Sequence, residues 1–160
     1  MRIELASTVV VFDLDDTLYQ EADYVESGVR YVCEHINSFY GVNIYDAIHH
    51  QFSQNPQIDW LAQACALAGL KPSVKETLLW MYRLHLPAIS LSVSCVSALN
   101  KIQSKALAVA VLTDGRAVTQ RLKLGALGLG YLPAYISEDY GSPKPANDRF
   151  HAIQEDYPAK

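Results

Sequence analysis

Residues 8–17 read Thr8-Val9-Val10-Val11-Phe12-Asp13-Leu14-Asp15-Asp16-Thr17. A continuous β-branched and aromatic run that turns abruptly into carboxylates predicts a strand buried on both faces and feeding a polar loop. Such a strand belongs inside a parallel sheet. Asp13 and Asp15 stand two apart at its end, so while the backbone stays extended both side chains point into the same crevice. A second run, Leu107 to Leu112, ends the same way in Thr113-Asp114-Gly115-Arg116, and Ala134-Tyr135-Ile136 is a shorter third candidate.

Between the first two strands lies far more chain than one crossover helix requires, and its pattern is helical. Val25, Val29, Val32, Ile36 and Phe39 recur at helical spacing before Gly41, and Ile58, Leu61, Ala62, Cys65 and Ala68 do so before Gly69. Ser73 followed by Glu76 has the form of a capping box opening a helix with Val74, Leu78, Met81 and Tyr82 on its apolar face. Beyond the insertion come a helix over Cys95, Val96, Leu99 and Ile102, the second strand, and a helix from Ala117 to Leu127 closed by Gly128. The expected fold class is therefore α/β, a Rossmann-like open parallel sheet formed by residues 1–19 and 91–160, with residues 20–90 inserted as an all-helical cap. In such a sheet ligands gather outside the carboxyl ends of the strands.

The loops at those ends carry the chemistry. Of two close carboxylates, one can attack phosphorus while the other gives a proton to the leaving group and later takes one from water. Mutual repulsion is expected to raise one of the two pKa values, which suits the acid. Thr113 can donate to a phosphate oxygen, and Gly115 lets the backbone approach it closely. Asp16 reads as a solvated cap of the turn, and Lys101 and Lys123 as surface lysines.

The stretch Val10 to Leu18, with its Asp13-Leu14-Asp15-Asp16-Thr17 core, resembles the first motif of the haloacid dehalogenase superfamily of phosphohydrolases. Val111-Leu112-Thr113-Asp114-Gly115 is similar to its second motif. Gly141-Ser142-Pro143-Lys144-Pro145, with Phe150 downstream, is similar to the lysine motif of its first cap subclass, as is Arg121 to Leu129 to the segment preceding it. The resemblance implies Asp13 as nucleophile, Asp15 as general acid and base, and Lys144 balancing charge between the nucleophile and phosphate. It further implies a phosphate-binding turn at Thr113, Asp114 and Gly115, also reached by Lys144. Mg2+ would be the cofactor, held by Asp13 and by the main-chain carbonyl of Asp15. The substrate expected is a small phosphorylated metabolite, with phosphomutase activity less favoured and carbon-halogen hydrolysis disfavoured because Asp15 would be surplus to it.

Composition narrows the partners. A formal net charge of -4 supplies no cationic excess for a nucleic-acid backbone or an anionic membrane, and no apolar run is long enough to span a bilayer. An intracellular, cytoplasmic protein is expected. Cys33, Cys65 and Cys95 suggest neither a disulfide framework nor a metal knuckle and read as small hydrophobes. His49 and His50, adjacent on a helix, cannot both face one metal. The family's fourth motif, an acidic cluster on a further strand that completes the metal shell, is not found after Phe150. On that reading Mg2+ binds weakly, and the Thr8 to Phe12 strand stands at a sheet edge open to self-association. The alternative function is a catalytically weak remnant acting as a phosphate-binding or interaction module.

Overall fold

The computed structural model describes residues 4–55 and 57–158. Three strands, β1 (Val9–Phe12), β2 (Ala108–Thr113) and β3 (Ala134–Ile136), form a parallel sheet in the order β1-β2-β3. The register pairs Val9 with Ala108 and Phe12 with Val111, then Val111 with Ala134 and Thr113 with Ile136. That register brings the ends of β1 and β2 level, so the loops bearing Asp13 and Asp114 leave the sheet on the same side. β2 is central and nearly all buried, as its unbroken apolar run demands. β1 corrects the expectation of a doubly buried strand: each of its residues is only partly buried, because its one partner among the described strands is β2.

The chain divides into two compact units, residues 1–23 with 88–160 and residues 24–87. In the first, side chains two apart share a face of the sheet. Val9 and Val11 of β1, Ala110 and Leu112 of β2 and Tyr135 of β3 accordingly meet Ala152 and Ile153 of α8 (Asp148–Asp156). α5 (Val93–Gln103) also packs on β2, with the Ser92 hydroxyl accepting from the Cys95 amide to cap it. α6 (Ala117–Ala126) connects β2 to β3, and the short α7 (Ser137–Tyr140) follows β3.

The second unit is helical: most of α1 (Glu21–Tyr40), then α2 (Tyr45–Gln54), α3 (Trp60–Leu67) and α4 (Lys75–Leu84). Val29, Val32, Cys33 and Ile36 of α1 occupy one stripe and bury against Ile48, Leu61, Ala64, Cys65 and Leu78. Burial pushes the Cys33 thiol up to about 11, which leaves it a packing residue with little thiolate character. The Ser73 and Glu76 capping box does not form. Pro72–Val74 takes a 3-10 turn instead, and α4 starts at Lys75 without a side-chain cap, because proline fixes the backbone one residue before Ser73. His49 and His50 are exposed, whereas His85 is buried between the Tyr82 carbonyl and the Ser27 hydroxyl.

Gly28 sits in α1 directly against Tyr82, and a Cβ built there would overlap the ring. Helix propensity favours alanine over glycine by up to about 1 kcal/mol, but overpacking a closed contact costs about 1–3 kcal/mol. Gly28→Ala is therefore expected to lower the stability of the helical unit in urea unfolding. Gly125→Ala in α6, where nothing lies within 4 Å of the added carbon, is expected to be neutral or stabilising. Equal effects from the two would show that Tyr82 yields without cost.

Candidate active site

β1 releases the chain at Phe12, and Asp13 is the first residue beyond the ladder. Its Oδ1 accepts from the Leu14 amide at 2.8 Å, and its Oδ2 lies 2.7 Å from Nζ of Lys144. Both side chains stay open to solvent, at 41% and 32% exposure, so the pair is reachable by a ligand. Leu14 is fully buried and anchors the loop between the two acids. Asp16 then adopts the left-handed conformation that Asp tolerates better than most residues, and its Oδ1 accepts from the Glu21 amide at the start of α1.

Asp15 is held on several sides. Its Oδ1 accepts from the Tyr19 hydroxyl at 2.5 Å and from Lys123 Nζ at 2.7 Å, and its Oδ2 accepts from Gln120 Nε2 at 2.8 Å. Burial works to raise its pKa, but hydrogen bonds from Lys123, Tyr19 and Gln120 and the Lys123 charge outweigh it, leaving the carboxyl below its ordinary value. This reverses the expected rise by carboxylate repulsion. The cation responsible is Lys123, which is not the surface lysine its sequence context suggests: it is 4% exposed and buries its ammonium against Asp15. Lys101, by contrast, is exposed as expected.

Thr113 ends β2 and is buried. Its Oγ1 accepts from Gln120 Nε2 at 2.8 Å, so one amide spans Thr113 and Asp15. Both oxygens of Asp114 accept from the main-chain amide of Lys144, at 3.1 and 3.2 Å, and Oδ1 also accepts from Arg149 at 2.6 Å. Burial raises the Asp114 pKa, but Arg149 and the Lys144 amide pull it below the ordinary carboxylate range. Arg149 is 1% exposed and also donates to the Thr113 carbonyl at 2.7 Å, so α8 ties β2 to the Lys144 loop. Gly115 adopts a φ of 136°, which favours glycine, and its amide donates to the Ser137 hydroxyl. Asp13 and Lys144 thus form one pair, Asp15 and Thr113 share Gln120, and Asp114 joins Thr113 to Lys144 through Arg149. Sequence reasoning had not found Gln120, Lys123, Tyr19 or Arg149.

Among the described residues no group of three or more His, Cys, Asp or Glu side chains could hold a metal ion. The Asp13, Asp15 and Asp114 carboxylates each accept from protein donors, and Asp13 and Asp114 also stay open to solvent, at 41% and 37% exposure. That donor set fits Mg2+ in the mode in which the ion keeps several waters and shares substrate phosphate, rather than an all-protein cage. No helix among the described residues is long and apolar enough to cross a membrane.

A parallel α/β core with ion-paired acids at adjacent strand ends defines the class to which the molecule is to be compared. The chain belongs to the haloacid dehalogenase-like hydrolases, whose family model matches residues 8–160. Solved structures agree on the fold. A candidate beta-phosphoglucomutase from Thermotoga maritima is 21% identical, with a TM-score of 0.63 over 93% of this chain and 70% of that one. A candidate HAD-hydrolase, YfnB from Bacillus subtilis, bound to magnesium, is 17% identical, with a TM-score of 0.59 over 95% and 73%. A dehalogenase with an intermediate complex is 16% identical, with a TM-score of 0.53 over 99% and 74%. At these identities the likeness concerns fold alone, and no curated protein sequence matches.

Proposed function

We propose that the chain is a phosphohydrolase that cleaves a small phosphomonoester through an aspartyl phosphate on Asp13. The observation that carries this reading is the exposed Asp13 carboxylate 2.7 Å from the Lys144 ammonium, at the end of the strand next to the one that presents Thr113. An Asp13 oxygen attacks phosphorus, the bond to the leaving oxygen breaks, and Asp15 gives that oxygen a proton so that it departs as the alcohol. Lys144 offsets the charge gathered between nucleophile and phosphoryl group, and Thr113 donates to a phosphoryl oxygen. Water then attacks the aspartyl phosphate, giving its proton to Asp15 and restoring the Asp13 carboxylate.

The lowered pKa of Asp15 suits the second half of this cycle, in which an ionised carboxylate is needed as base. In the first half the leaving oxygen needs a proton, which the Lys123 clamp makes harder for Asp15 to carry. The same clamp favours a second reading, a phosphate-binding module with little turnover. Mg2+ would be held by Asp13 and the main-chain carbonyl of Asp15, with bound phosphate as a further oxygen ligand, and would supply charge neutralisation.

The test is a screen of phosphomonoesters and 2-haloacids with and without Mg2+. Phosphate release that chelation abolishes is expected. Halide release without phosphate release would reject the phosphohydrolase, and saturable binding of inorganic phosphate without turnover would support the binding module.

A further inference from the structure

Within the phosphohydrolase reading, we infer that Gln120 and Lys123 of α6 are positioning residues. They fix the Asp15 carboxylate and orient the Thr113 hydroxyl so that its proton is offered to the phosphoryl group. The two stand three apart and so share one face of α6, with Leu124 beside them on the buried stripe. Neither belongs there on packing grounds. A lysine is almost never fully buried unless paired, and a buried amide is kept only where its hydrogen bonds are wanted.

Gln120 is 1% exposed, and its Nε2 lies 2.8 Å from Asp15 Oδ2, 2.8 Å from Thr113 Oγ1 and 2.7 Å from the Asp114 carbonyl. Its Oε1 is buried without a partner among the described residues. An apolar side chain of similar length would fill the same space without an orphaned carbonyl, so packing does not account for the amide. Its effect falls on Thr113. A hydroxyl has one proton and two lone pairs, and Gln120 occupies a lone pair. Among the described residues the hydroxyl proton is left with the Asp114 carbonyl at 3.4 Å, a long and weak contact. A phosphoryl oxygen entering at the strand ends is the better acceptor, and the hydroxyl is already turned to donor duty.

Lys123 acts on the other partner of the same amide. Its ammonium and the Tyr19 hydroxyl converge on Asp15 Oδ1 while Gln120 takes Oδ2, so the carboxylate has little rotational freedom. A base held in one orientation meets its water without first losing that freedom. Gln120 should thus influence phosphate binding and rate together, whereas Lys123, which holds Asp15 and not Thr113, should influence the rate and leave phosphate binding unchanged.

The experiment compares Gln120→Met, Gln120→Asn, Lys123→Met and Lys123→Arg in the full chain, with thermal midpoints recorded for each. Gln120→Met is expected to lower kcat about tenfold or more, raise KM, and weaken inorganic phosphate binding in calorimetry severalfold. Lys123→Met is expected to lower kcat by about tenfold or more with inorganic phosphate affinity unchanged, and with KM falling alongside kcat as acid-stable phosphoenzyme accumulates. Lys123→Arg should recover part of the rate. If a Met variant does not fold, Gln120→Asn, whose shorter amide cannot span both partners, and Lys123→Arg carry the comparison. The inference is overturned if the folded variants keep wild-type kcat, KM and phosphate affinity while their thermal midpoints fall, since that is a structural role only. A wild-type chain that neither cleaves phosphomonoesters nor binds phosphate would instead reject the reading on which the inference rests.

Discussion

Asp13→Asn is expected to leave a folded protein that neither releases phosphate nor forms a phosphoenzyme, with turnover down by about four orders of magnitude or more. The substitution keeps the shape of the side chain and an acceptor for the Leu14 amide but removes the anionic nucleophile. Because Asp13 and Lys144 are both partly exposed, losing their ion pair should change stability by no more than about 1 kcal/mol. Asp15→Asn is expected to behave differently. It should still form the aspartyl phosphate but break it down about a hundredfold more slowly or worse, so that the intermediate accumulates. It also removes the anion that lies 2.7 Å from the buried Lys123 ammonium, and its stability should fall. Acid quench followed by gel or mass analysis reads the intermediate, and rates must be taken per folded molecule. Equal residual activity in the two variants, with no trapped intermediate in either, would sink covalent catalysis by Asp13.

The two variants also mark what the sequence disclosed and what it hid. The strand ends were legible because a β-branched run followed by carboxylates has few other meanings, and β1, β2 and β3 lie where those runs lie. The loops bearing Asp13, Thr113 and Lys144 follow from that placement. The residues holding them in place were not legible by the same route. Gln120, Lys123, Leu124 and Leu127 recur at i, i+3, i+4 and i+7, so two polar residues stand on a stripe that faces the core. Arg149 occupies the same kind of position, three and four residues before Ala152 and Ile153. Reading each helix by its apolar members alone discards the signal, which is a long polar side chain where the period demands an apolar one. The direction of the Asp15 pKa failed for this reason: carboxylate repulsion was visible in the spacing, and the opposing ammonium, 108 residues along the chain, was not.

Asp114→Asn is expected to destabilise the core by about 3–5 kcal/mol, more than an exposed carboxylate would suggest, because the loss falls on its partner. The Arg149 guanidinium is 1% exposed, and Asp114 Oδ1 is its anionic partner at 2.6 Å. The Thr113 carbonyl still accepts from Nη1, but a neutral carbonyl does not balance a buried charge, and Nε is already buried without a partner among the described residues. The asparagine can still accept from the Lys144 amide, so the Lys144 loop is not simply released, and the measured loss reports mainly the uncompensated guanidinium. Arg149→Met in the same chain removes that charge and should recover a large part of the loss, which a double-mutant cycle in urea reads as a coupling energy of about 0.5–3 kcal/mol. The pH dependence has a definite sign. A carboxyl whose folded pKa is depressed adds stability that is present above its unfolded value of about 3.9 and is lost as pH falls through the lower folded value. Wild-type stability should therefore drop below about pH 4, with Asp15 adding to the same acid limb, and the limb should be shallower in Asp114→Asn. Identical acid limbs in wild type and variant, or a double variant no more stable than Asp114→Asn alone, would remove the Asp114 and Arg149 pair from the forces that hold the Lys144 loop to β2.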